Sequence, residues 1–469
     1  MSEPLLYRST RGDAPDLPFD DALLAGLATD GGLYCPVETP DLGALLTDPA
    51  TAEMGYAELA VEVMWPFVAG TIGRDDFVRI VTDAYSVFRA PDVVPLVDLG
   101  DGHHLLDLAK GPTLAFKDVA LQLVGRLMDH VLAERGERVT VLGATSGDTG
   151  SAAIEALRDR DAISVVILHP KGRVSDVQRR QMTTVRADNV RNVAIEGTFD
   201  DCQDLVKAAF NDPALRAEFG LAAVNSINWA RVMAQTVYYV SAARRVRPDG
   251  GPVSFSVPTG NFGNILAGWY AKRMGLPTGQ LVIASNRNDI LTRYIATGRL
   301  TASDVVPSLS PSMDIQVSSN FERLLWEASG RDGAAVADLL TRFRGEGDVA
   351  VPAAWNDTIR AEFDAGHVTD DETLAEIGRV HDELGLLLDP HTAVGVLAAR
   401  RCRDDSGLPM ITLSTADPAK FPDAVEKATG VRPPLPAFLS ELHERPEYLH
   451  ETANELGSVA GEIRTLLGT

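Results

Sequence analysis

Residues 253–264 read Val-Ser-Phe-Ser-Val-Pro-Thr-Gly-Asn-Phe-Gly-Asn, and this stretch decides the fold class. The stretch 253–257, in which valine and phenylalanine alternate with serine, predicts a strand, and the glycines that follow predict a tight loop. The apolar run Ile265–Tyr270 then predicts a helix. A strand that leads through such a loop directly into a helix is typical of a parallel sheet covered by helices.

The same order of strand, loop and helix recurs on both sides of this stretch. Further strands are predicted at Arg138–Leu142, Ile163–Leu168, Asn192–Glu196, Leu281–Ala284 and Ile411–Leu413. Parallel strands bind ligands at their carboxyl ends. We therefore expect an α/β fold whose functional loops follow residues 142, 257 and 413.

The composition limits the partners. The chain has 469 residues, enough for two to four domains, and a formal net charge of −23. That charge repels phosphate backbones and anionic lipids, so we expect a small-molecule ligand, no nucleic acid and no membrane. Three separated cysteines and the absence of both a secretion signal and a long apolar run favour a cytoplasmic protein. No histidine or cysteine pair has metal-ligand spacing.

The loop at 260–264 has two interpretations. Its glycines and the following helix start favour a phosphate dianion, because both expose backbone N–H groups. The alternative is a tight turn with an asparagine in the left-handed conformation. The loop is neither a P-loop nor a dinucleotide-binding fingerprint, since the residue spacing of both is absent.

A second loop, residues 143–150, reads Gly-Ala-Thr-Ser-Gly-Asp-Thr-Gly. Its hydroxyl and N–H groups favour a carboxylate or a phosphate. The alternative is a helix cap in which Asp148 or Thr149 is the capping residue.

Lys117 lies at the predicted start of a long helix, between apolar residues. A desolvated lysine beside the positive end of a helix has a lowered pKa and becomes an amine nucleophile. The alternative is a solvated lysine on the outer face.

Three more stretches are equally ambiguous: Asn225–Arg231, Asp389–Thr392 and Leu413–Phe421. Each has a residue suited to catalysis or anion binding, and each also fits an ordinary capped turn.

Taken in order, these motifs resemble one family. The ordered set is Phe116-Lys117-Asp118, Ser146-Gly147-Asp148-Thr149-Gly150, Ser226–Arg231, Gly260–Asn264 and Ser414–Phe421, with further matching stretches at 7–12, 26–34, 319–323 and 389–393. The set is similar to the longer type of threonine synthase, a fold type II enzyme that uses pyridoxal 5′-phosphate (PLP). The resemblance covers nearly the whole chain. It implies two open, twisted, mostly parallel sheets flanked by helices, plus a small N-terminal domain.

The resemblance also implies a role for each motif. Lys117 would carry PLP covalently and act as the catalytic residue. PLP would also be bound by Gly260, Asn261, Phe262, Gly263 and Asn264 at its phosphate and by Thr415 at its ring nitrogen. The substrate would be bound by Thr113, Ser146, Gly147, Asp148, Thr149, Asn228, Arg231 and Lys171, without a metal. The implied reaction converts O-phospho-L-homoserine and water to L-threonine and phosphate, in a monomer or a homodimer.

Domain boundaries follow from the same resemblance. We expect an N-terminal domain over 1–95, a large PLP-binding domain over 96–139 and 226–469 with an insertion around 300–385, and a small mobile substrate domain over 140–225. Because the protein is acidic while cofactor and substrate carry phosphate, we also expect a basic pocket inside an acidic shell.

The chain departs from the family pattern in two places, the stretch Asp107–Lys110, which ends in Lys110, and Asp417. They keep open a related enzyme that releases 2-oxobutyrate from phosphohomoserine. A dehydratase or sulfhydrylase of the same fold is a second possibility, and the length of the N-terminal block disfavours it. A non-catalytic paralogue that binds a metabolite is a third, and the presence of Lys117 disfavours it.

Overall fold

The computed structural model describes residues 3–48, 51, 53–145, 147–404 and 407–468. Within them the strands are β1 Tyr7–Ser9, β2 Tyr34–Pro36, β3 Leu96–Gly100, β4 His103–Asp107, β5 Val139–Ala144, β6 Ile163–Pro170, β7 Val190–Ile195, β8 Leu221–Ala222, β9 Val253–Pro258, β10 Thr278–Ser285, β11 Arg299–Thr301, β12 Asp348–Ala350, β13 Phe363–His367, β14 Met410–Ser414 and β15 His450–Thr452. Each predicted strand is confirmed, with ends that agree within three residues.

The helices lie mainly between these strands. They are α1 Phe19–Ala25, α2 Gly43–Thr47, α3 Tyr56–Val68, α4 Arg74–Tyr85, α5 Lys117–Arg135, α6 Asp148–Leu157, α7 Asp176–Thr183, α8 Phe199–Asn211, α9 Pro213–Phe219, α10 Trp229–Val246, α11 Gly263–Arg273, α12 Ile290–Thr297, α13 Phe321–Ala328, α14 Gly333–Glu346, α15 Ala353–Arg360, α16 Asp370–Leu384, α17 Pro390–Cys402, α18 Pro422–Thr429 and α19 Leu456–Leu467. Short 3₁₀ turns lie at Pro311–Met313, Pro418–Lys420 and Ala437–Leu439. None of the described helices is both long and apolar enough to span a membrane.

The chain forms two compact units. Unit 1 comprises Met1–Leu23, Leu27–Lys110 and Ser226–Pro433, and unit 2 comprises Leu24–Gly26, Gly111–Asn225 and Pro434–Thr469. Over the described residues, the main sheet of unit 1 has the order β13-β10-β9-β14-β4-β3, in which only the β3–β4 pair is antiparallel. The carboxyl ends of β9 and β14 therefore lie at one edge of the sheet and carry the loops after 258 and 414.

Unit 2 is built on an all-parallel sheet. Its described strands have the order β15-β7-β6-β5-β8. The core on one side of this sheet includes Leu142, Val166 and Val193 from the strands and Val459 and Ile463 from α19. Helix α5 is buried along most of its length and ends at Gly136, which takes the left-handed conformation of a typical C-cap.

These two units differ from the predicted domain boundaries in two respects. Residues 111–139 and 434–469 belong with 140–225, because α5 packs on α6, β15 pairs with β7 and α19 fills the core of that sheet. Apart from Leu24–Gly26, the N-terminal 95 residues belong with the larger unit, in which α3 packs on α10. Local sequence patterns do not show either pairing, since its partners are far apart in the chain. The mobility expected of residues 140–225 stays a prediction.

Candidate active site

Lys117 is the first residue of α5 and only 9% exposed. Its Nζ lies 3.3 Å from Oδ2 of Asp148 and 5.2 Å from the centre of the Phe116 ring. The amine is therefore held in a largely apolar setting with a carboxylate as partner. This agrees with the interpretation of a desolvated lysine rather than with a solvated lysine on an outer face.

Thr113 belongs to the same turn. Its N–H and its hydroxyl both donate to the carboxylate of Asp118, each at 2.7 Å, and its carbonyl accepts from Nε2 of Gln181 at 3.1 Å. Thr113 is thus fixed by the helix that carries Lys117 and by α7.

In the loop after β5, the side chain of Thr145 accepts the backbone N–H groups for which an aspartate cap was the expected acceptor. The Thr145 hydroxyl accepts the N–H groups of Gly147 and Gly150, at 3.0 and 2.9 Å. Gly147 is the N-cap of α6. Its φ of +148° is a conformation that other residues rarely adopt, and a Cβ built on it would lie 2.5 Å from the amide carbon of Gln178. Both observations disfavour a larger residue at this position. Asp148 instead faces inward, where its Oδ1 accepts from Gln178 Nε2 at 2.8 Å. The prediction of Asp148 or Thr149 as a helix cap is therefore wrong.

Thr149 is half-buried in the first turn of α6. Ser146, the remaining predicted ligand of this loop, lies outside the described residues.

The 260–264 loop in unit 1 is a close-packed turn between β9 and α11. Gly260 packs so closely on Ser312 that a built Cβ would lie 2.6 Å from the Ser312 carbonyl oxygen. Phe262, not an asparagine, adopts the left-handed conformation, with φ of 64°. Its ring packs on Phe321 and Phe363 at centroid distances of 5.3 and 5.6 Å, and this packing holds the strained backbone in place. The first turn of α11 then presents N–H groups of the kind that bind phosphate.

Asn264, in that first turn, has one half of its amide engaged. Its Oδ1 accepts from the Tyr238 hydroxyl and, at 3.1 Å, from the Tyr239 hydroxyl. Its Nδ2 is buried and has no hydrogen-bond partner among the residues that the structure describes. A buried amide donor without a partner is costly, and a bound anion would satisfy it.

Arg231 is a buried cation in the first turn of α10. The side chain is 3% exposed, and its Nε and Nη1 have no hydrogen-bond partner within the described part of the chain. Burial lowers the pKa of the guanidinium to about 10, against a smaller opposite effect of Tyr238, so it remains protonated at neutral pH. Buried charges are normally paired with an opposite charge. Arg231 therefore fits an anionic ligand.

Asn228 and Lys171 differ from their predicted role as phosphate ligands. Asn228 is the N-cap of α10, where its Oδ1 accepts from Ala230 N–H at 3.1 Å and its Nδ2 donates to Leu23 at 2.8 Å. Lys171 has a side chain 44% exposed and pairs with Glu451 at 2.7 Å. Asn228 thus positions the helix that carries Arg231, and Lys171 is a surface ion pair.

Thr415 follows β14 and is buried. Its N–H donates to the Thr392 hydroxyl at 3.2 Å, and that hydroxyl donates to Asp389. His391 is held between Asp389, 2.8 Å from its Nδ1, and the N–H of Ser312, 3.2 Å from its Nε2. Because the Ser312 N–H is a donor, Nε2 is the acceptor and the imidazole proton lies on Nδ1. Both ring nitrogens of His391 therefore have partners inside the protein, which is typical of a structural histidine.

The two departures from the family pattern both have local partners. Lys110 Nζ pairs with Asp107 at 2.6 Å. Asp417 caps the 3₁₀ turn Pro418–Lys420 by accepting the Ala419 N–H at 2.9 Å. Burial raises the pKa of Asp417, against smaller opposite effects of that N–H and of Lys110.

We expect Asp417→Asn to stabilise the protein at pH 7–8. A carboxyl whose pKa is raised by folding destabilises the native state once it ionises, so stability falls as pH rises above its unfolded value of 3.8. Asparagine keeps the cap without the charge. The free energy of unfolding should rise by on the order of 0.5 kcal/mol at pH 8, with no gain below about pH 4. Urea titrations at both values measure this, and a gain that is equal at both would contradict it.

The parallel sheets, the buried lysine and the glycine cradle define a class of enzyme. Residues 99–339 match the family model described as pyridoxal-phosphate dependent enzyme, which places the chain in that class. Residues 6–85 match the model of the threonine synthase N terminus, and residues 392–463 match that of the threonine synthase C-terminal part. The chain belongs to the threonine synthase family.

Individual relatives agree with this assignment. The chain is 54% identical over 455 residues to a threonine synthase of Pseudomonas aeruginosa, with 97% of each chain covered. It superimposes on a PLP-bound threonine synthase of Brucella melitensis with a TM-score of 0.95 and 52% identity, covering 98% of this chain and 99% of the other. For a yeast threonine synthase the TM-score is 0.94 at 40% identity, with 99% of both chains covered. The predicted fold type II architecture and PLP as cofactor are confirmed.

The described residues fit this cofactor. A buried amine is present at Lys117, the contact of Gly260 with Ser312 makes the close-packed turn that a phosphate cradle requires, and Asn264 Nδ2 is a buried donor that lacks a partner among the described residues. The sequence interpretation missed Gln178 and Gln181, which hold Asp148 and Thr113. Their spacing of three residues in an arginine-rich helix was the available signal, because it places two amides on one helix face.

Proposed function

We propose that this chain converts O-phospho-L-homoserine and water to L-threonine and phosphate, the last step of threonine biosynthesis. Membership of the threonine synthase family supports the reaction. The observation that carries the substrate assignment is Arg231, a buried guanidinium whose Nε and Nη1 lack partners within the described residues. Such a group favours a dianionic phosphate, because charge-assisted hydrogen bonds compensate the desolvation of both partners.

Each remaining side chain has a role in this proposal. Lys117 carries PLP. The 260–264 loop, which includes Asn264, binds the PLP phosphate, and Thr415 forms a hydrogen bond with the ring nitrogen. Thr113, the 146–149 loop and Asp148 bind the amino-acid part of the substrate, and Arg231 binds the substrate phosphate. Asn228 positions α10, and Lys171, which pairs with Glu451 at the surface, stays a predicted ligand of the substrate phosphate.

PLP, when bound, would accept electron density from the substrate, so that the C–H bonds at the α- and β-carbons become acidic enough to lose a proton. Lys117 is the proton carrier: it removes a proton from the α-carbon, releases that proton, and only then, as a neutral amine again, removes one from the β-carbon. The γ-carbon–oxygen bond breaks, and phosphate leaves with the electron pair towards Arg231. Lys117 gives the proton from the β-carbon to the γ-carbon. The water oxygen bonds to the β-carbon while a water proton passes to the released phosphate, and the proton first removed from the α-carbon returns to it. Asp148, held by Gln178, keeps the Lys117 amine oriented between these transfers.

The product assay tests the reaction. With phosphohomoserine, we expect the purified holoenzyme to release L-threonine and phosphate in equal amounts, with no 2-oxobutyrate. Lys110 and Asp417 kept the 2-oxobutyrate reaction open, and the structure gives each of them a local partner instead. Accumulation of 2-oxobutyrate in place of threonine would contradict the proposal. Incubation without enzyme is the control.

Location and assembly are part of the same proposal. The cysteines Cys35, Cys202 and Cys402 are free thiols, which supports a reducing compartment such as the cytoplasm. We propose a monomer or a homodimer with small-molecule ligands and without a nucleic-acid partner, as expected of a chain with net charge −23.

A further inference from the structure

Asn320 connects two segments that the proposed function uses. The residue precedes α13 and is fully buried. Its side-chain Nδ2 donates to the carbonyl of Asn261 and to the carbonyl of Ser226, both at 3.0 Å, and its own N–H donates to Asn261 at 3.1 Å. Asn261 belongs to the 260–264 loop, and Ser226 leads into the helix of Arg231. One amide group therefore satisfies a carbonyl in each segment.

The orientation of this amide is fixed by its chemistry. Its Oδ1 accepts from Nη1 of Arg323, whose Nη2 also donates to the carbonyls of Tyr34 and Ile227, at 2.9 and 2.6 Å. Since a guanidinium can only donate, Oδ1 faces Arg323. Nδ2 consequently faces the two carbonyls, which can only accept.

Neighbouring residues bind the same loop. The Ser318 hydroxyl donates to the Gly260 carbonyl at 2.8 Å, and the Ser319 hydroxyl donates to Oδ1 of Asn261 at 3.3 Å. At Gly263 a built Cβ would lie 3.2 Å from Asn320 Nδ2, so the amide also limits residue size at the start of α11. The segment 318–320 thus contacts the loop at three of its five residues.

We propose that Asn320 is a positioning residue that holds the 260–264 loop and the segment leading to Arg231 in a fixed relative position. The inference rests on the proposed function, because it assigns the loop to the PLP phosphate and Arg231 to the substrate phosphate. A cradle of backbone N–H groups binds phosphate well only if its atoms are held within a fraction of an ångström. Asn320 supplies that constraint without contacting either phosphate.

Asn320→Asp tests this role. The variant keeps the size of the side chain and the contact with Arg323, but it turns a carboxylate oxygen towards two carbonyl oxygens. We expect the dissociation constant of PLP to rise at least about tenfold, because the Asn261 carbonyl loses its side-chain donor and faces a carboxylate oxygen that repels it. We also expect the ³¹P resonance of bound PLP to move, which reports the phosphate environment independently of activity.

Asn356→Asp is the matched control. Asn356 also donates through Nδ2 to two carbonyls, those of Val351 and Gly298 at 2.9 and 3.3 Å, and accepts a hydrogen bond, from Tyr294, through Oδ1. Its bonds lie around β11 and β12 rather than at the 260–264 loop. We expect Asn356→Asp to leave the ³¹P resonance and the PLP dissociation constant unchanged. Ser318→Ala, a milder change at the same loop, should move both in the direction of Asn320→Asp and serves if that variant does not fold.

Asn264→Ala distinguishes a failure of the Asn320 role from a failure of the assignment of the 260–264 loop to the PLP phosphate. If it weakens PLP binding and moves the ³¹P resonance while Asn320→Asp and Ser318→Ala change neither, the positioning role of Asn320 is wrong and the loop assignment stands. If Asn264→Ala also changes neither, the assignment of the loop to the PLP phosphate is wrong, and the inference falls with it.

Discussion

Lys117→Ala is expected to abolish covalent attachment of PLP and to lower kcat by at least about 10²–10⁴-fold. The amine is buried beside Asp148, and the proposed mechanism routes both proton removals through it. Purified wild-type protein should be yellow, and borohydride reduction should fix the cofactor to the peptide that contains Lys117. The variant should bind PLP reversibly and give no labelled peptide.

Lys272→Ala is the control for this change. Lys272 is a partly buried lysine on α11 that pairs with Glu362 at 2.6 Å, so its loss removes a comparable ion pair without touching the proposed chemistry. It should keep its colour and near wild-type kcat. Full activity of Lys117→Ala, or a labelled peptide elsewhere in the chain, would overturn the mechanism.

Arg231→Met is expected to lower activity and to raise stability. Loss of two charge-assisted donors should reduce kcat/KM for phosphohomoserine about 10²–10⁴-fold. The same change removes a buried cation whose Nε and Nη1 lack partners among the described residues, so the free energy of unfolding without ligand should rise by about 1–3 kcal/mol. Inorganic phosphate should raise the Tm of the wild type and have little effect on the variant.

Arg323→Met tests whether the combination of lower activity and higher stability is specific to the replacement of Arg231. Arg323 is equally buried, but it donates to Tyr34, Ile227 and Asn320. Its replacement leaves those acceptors unsatisfied and should destabilise the protein by about 2–4 kcal/mol. If Arg231→Met were destabilising to a similar degree, with the phosphate effect on Tm retained, Arg231 would be a structural arginine and the substrate-phosphate assignment would be wrong.

The sheet framework could be predicted because its determinants are local. The run Val253–Pro258 has apolar residues at alternate positions and leads into a glycine-rich loop, so strand, loop and helix follow from neighbouring residues. The position of Lys117 at the start of a long apolar helix is likewise visible in a short window. These features place the functional loops at strand ends before any long-range contact is known.

The details of the site that sequence could not supply depend on distant residues. The resemblance implies that Lys171 binds the substrate phosphate, but in the structure Lys171 pairs with Glu451, 280 residues further on. Phe262, rather than an asparagine, takes the left-handed conformation because Phe321 and Phe363 enclose its ring. The resemblance likewise implies the same role for Asn228 and Arg231. In the structure Asn228 is a helix cap, whereas Arg231, three residues later, is a buried cation. Hydrogen-bond partners of this kind follow from tertiary packing rather than from residue type and spacing.

The C-terminal segment has a consequence for how unit 2 is made in the cell. Strand β15 and helix α19, which complete its sheet and core, come from Pro434–Thr469, whereas the rest of the unit comes almost entirely from Gly111–Asn225. A ribosome therefore releases the first part roughly 10–40 s before the second, at ordinary rates of synthesis. During that interval Val166, Val193 and Leu205 lack the α19 side chains that cover them in the finished protein. The nascent chain consequently exposes part of this core until the C-terminal segment is made, and a premature stop codon before Leu456 would leave unit 2 without its closing helix.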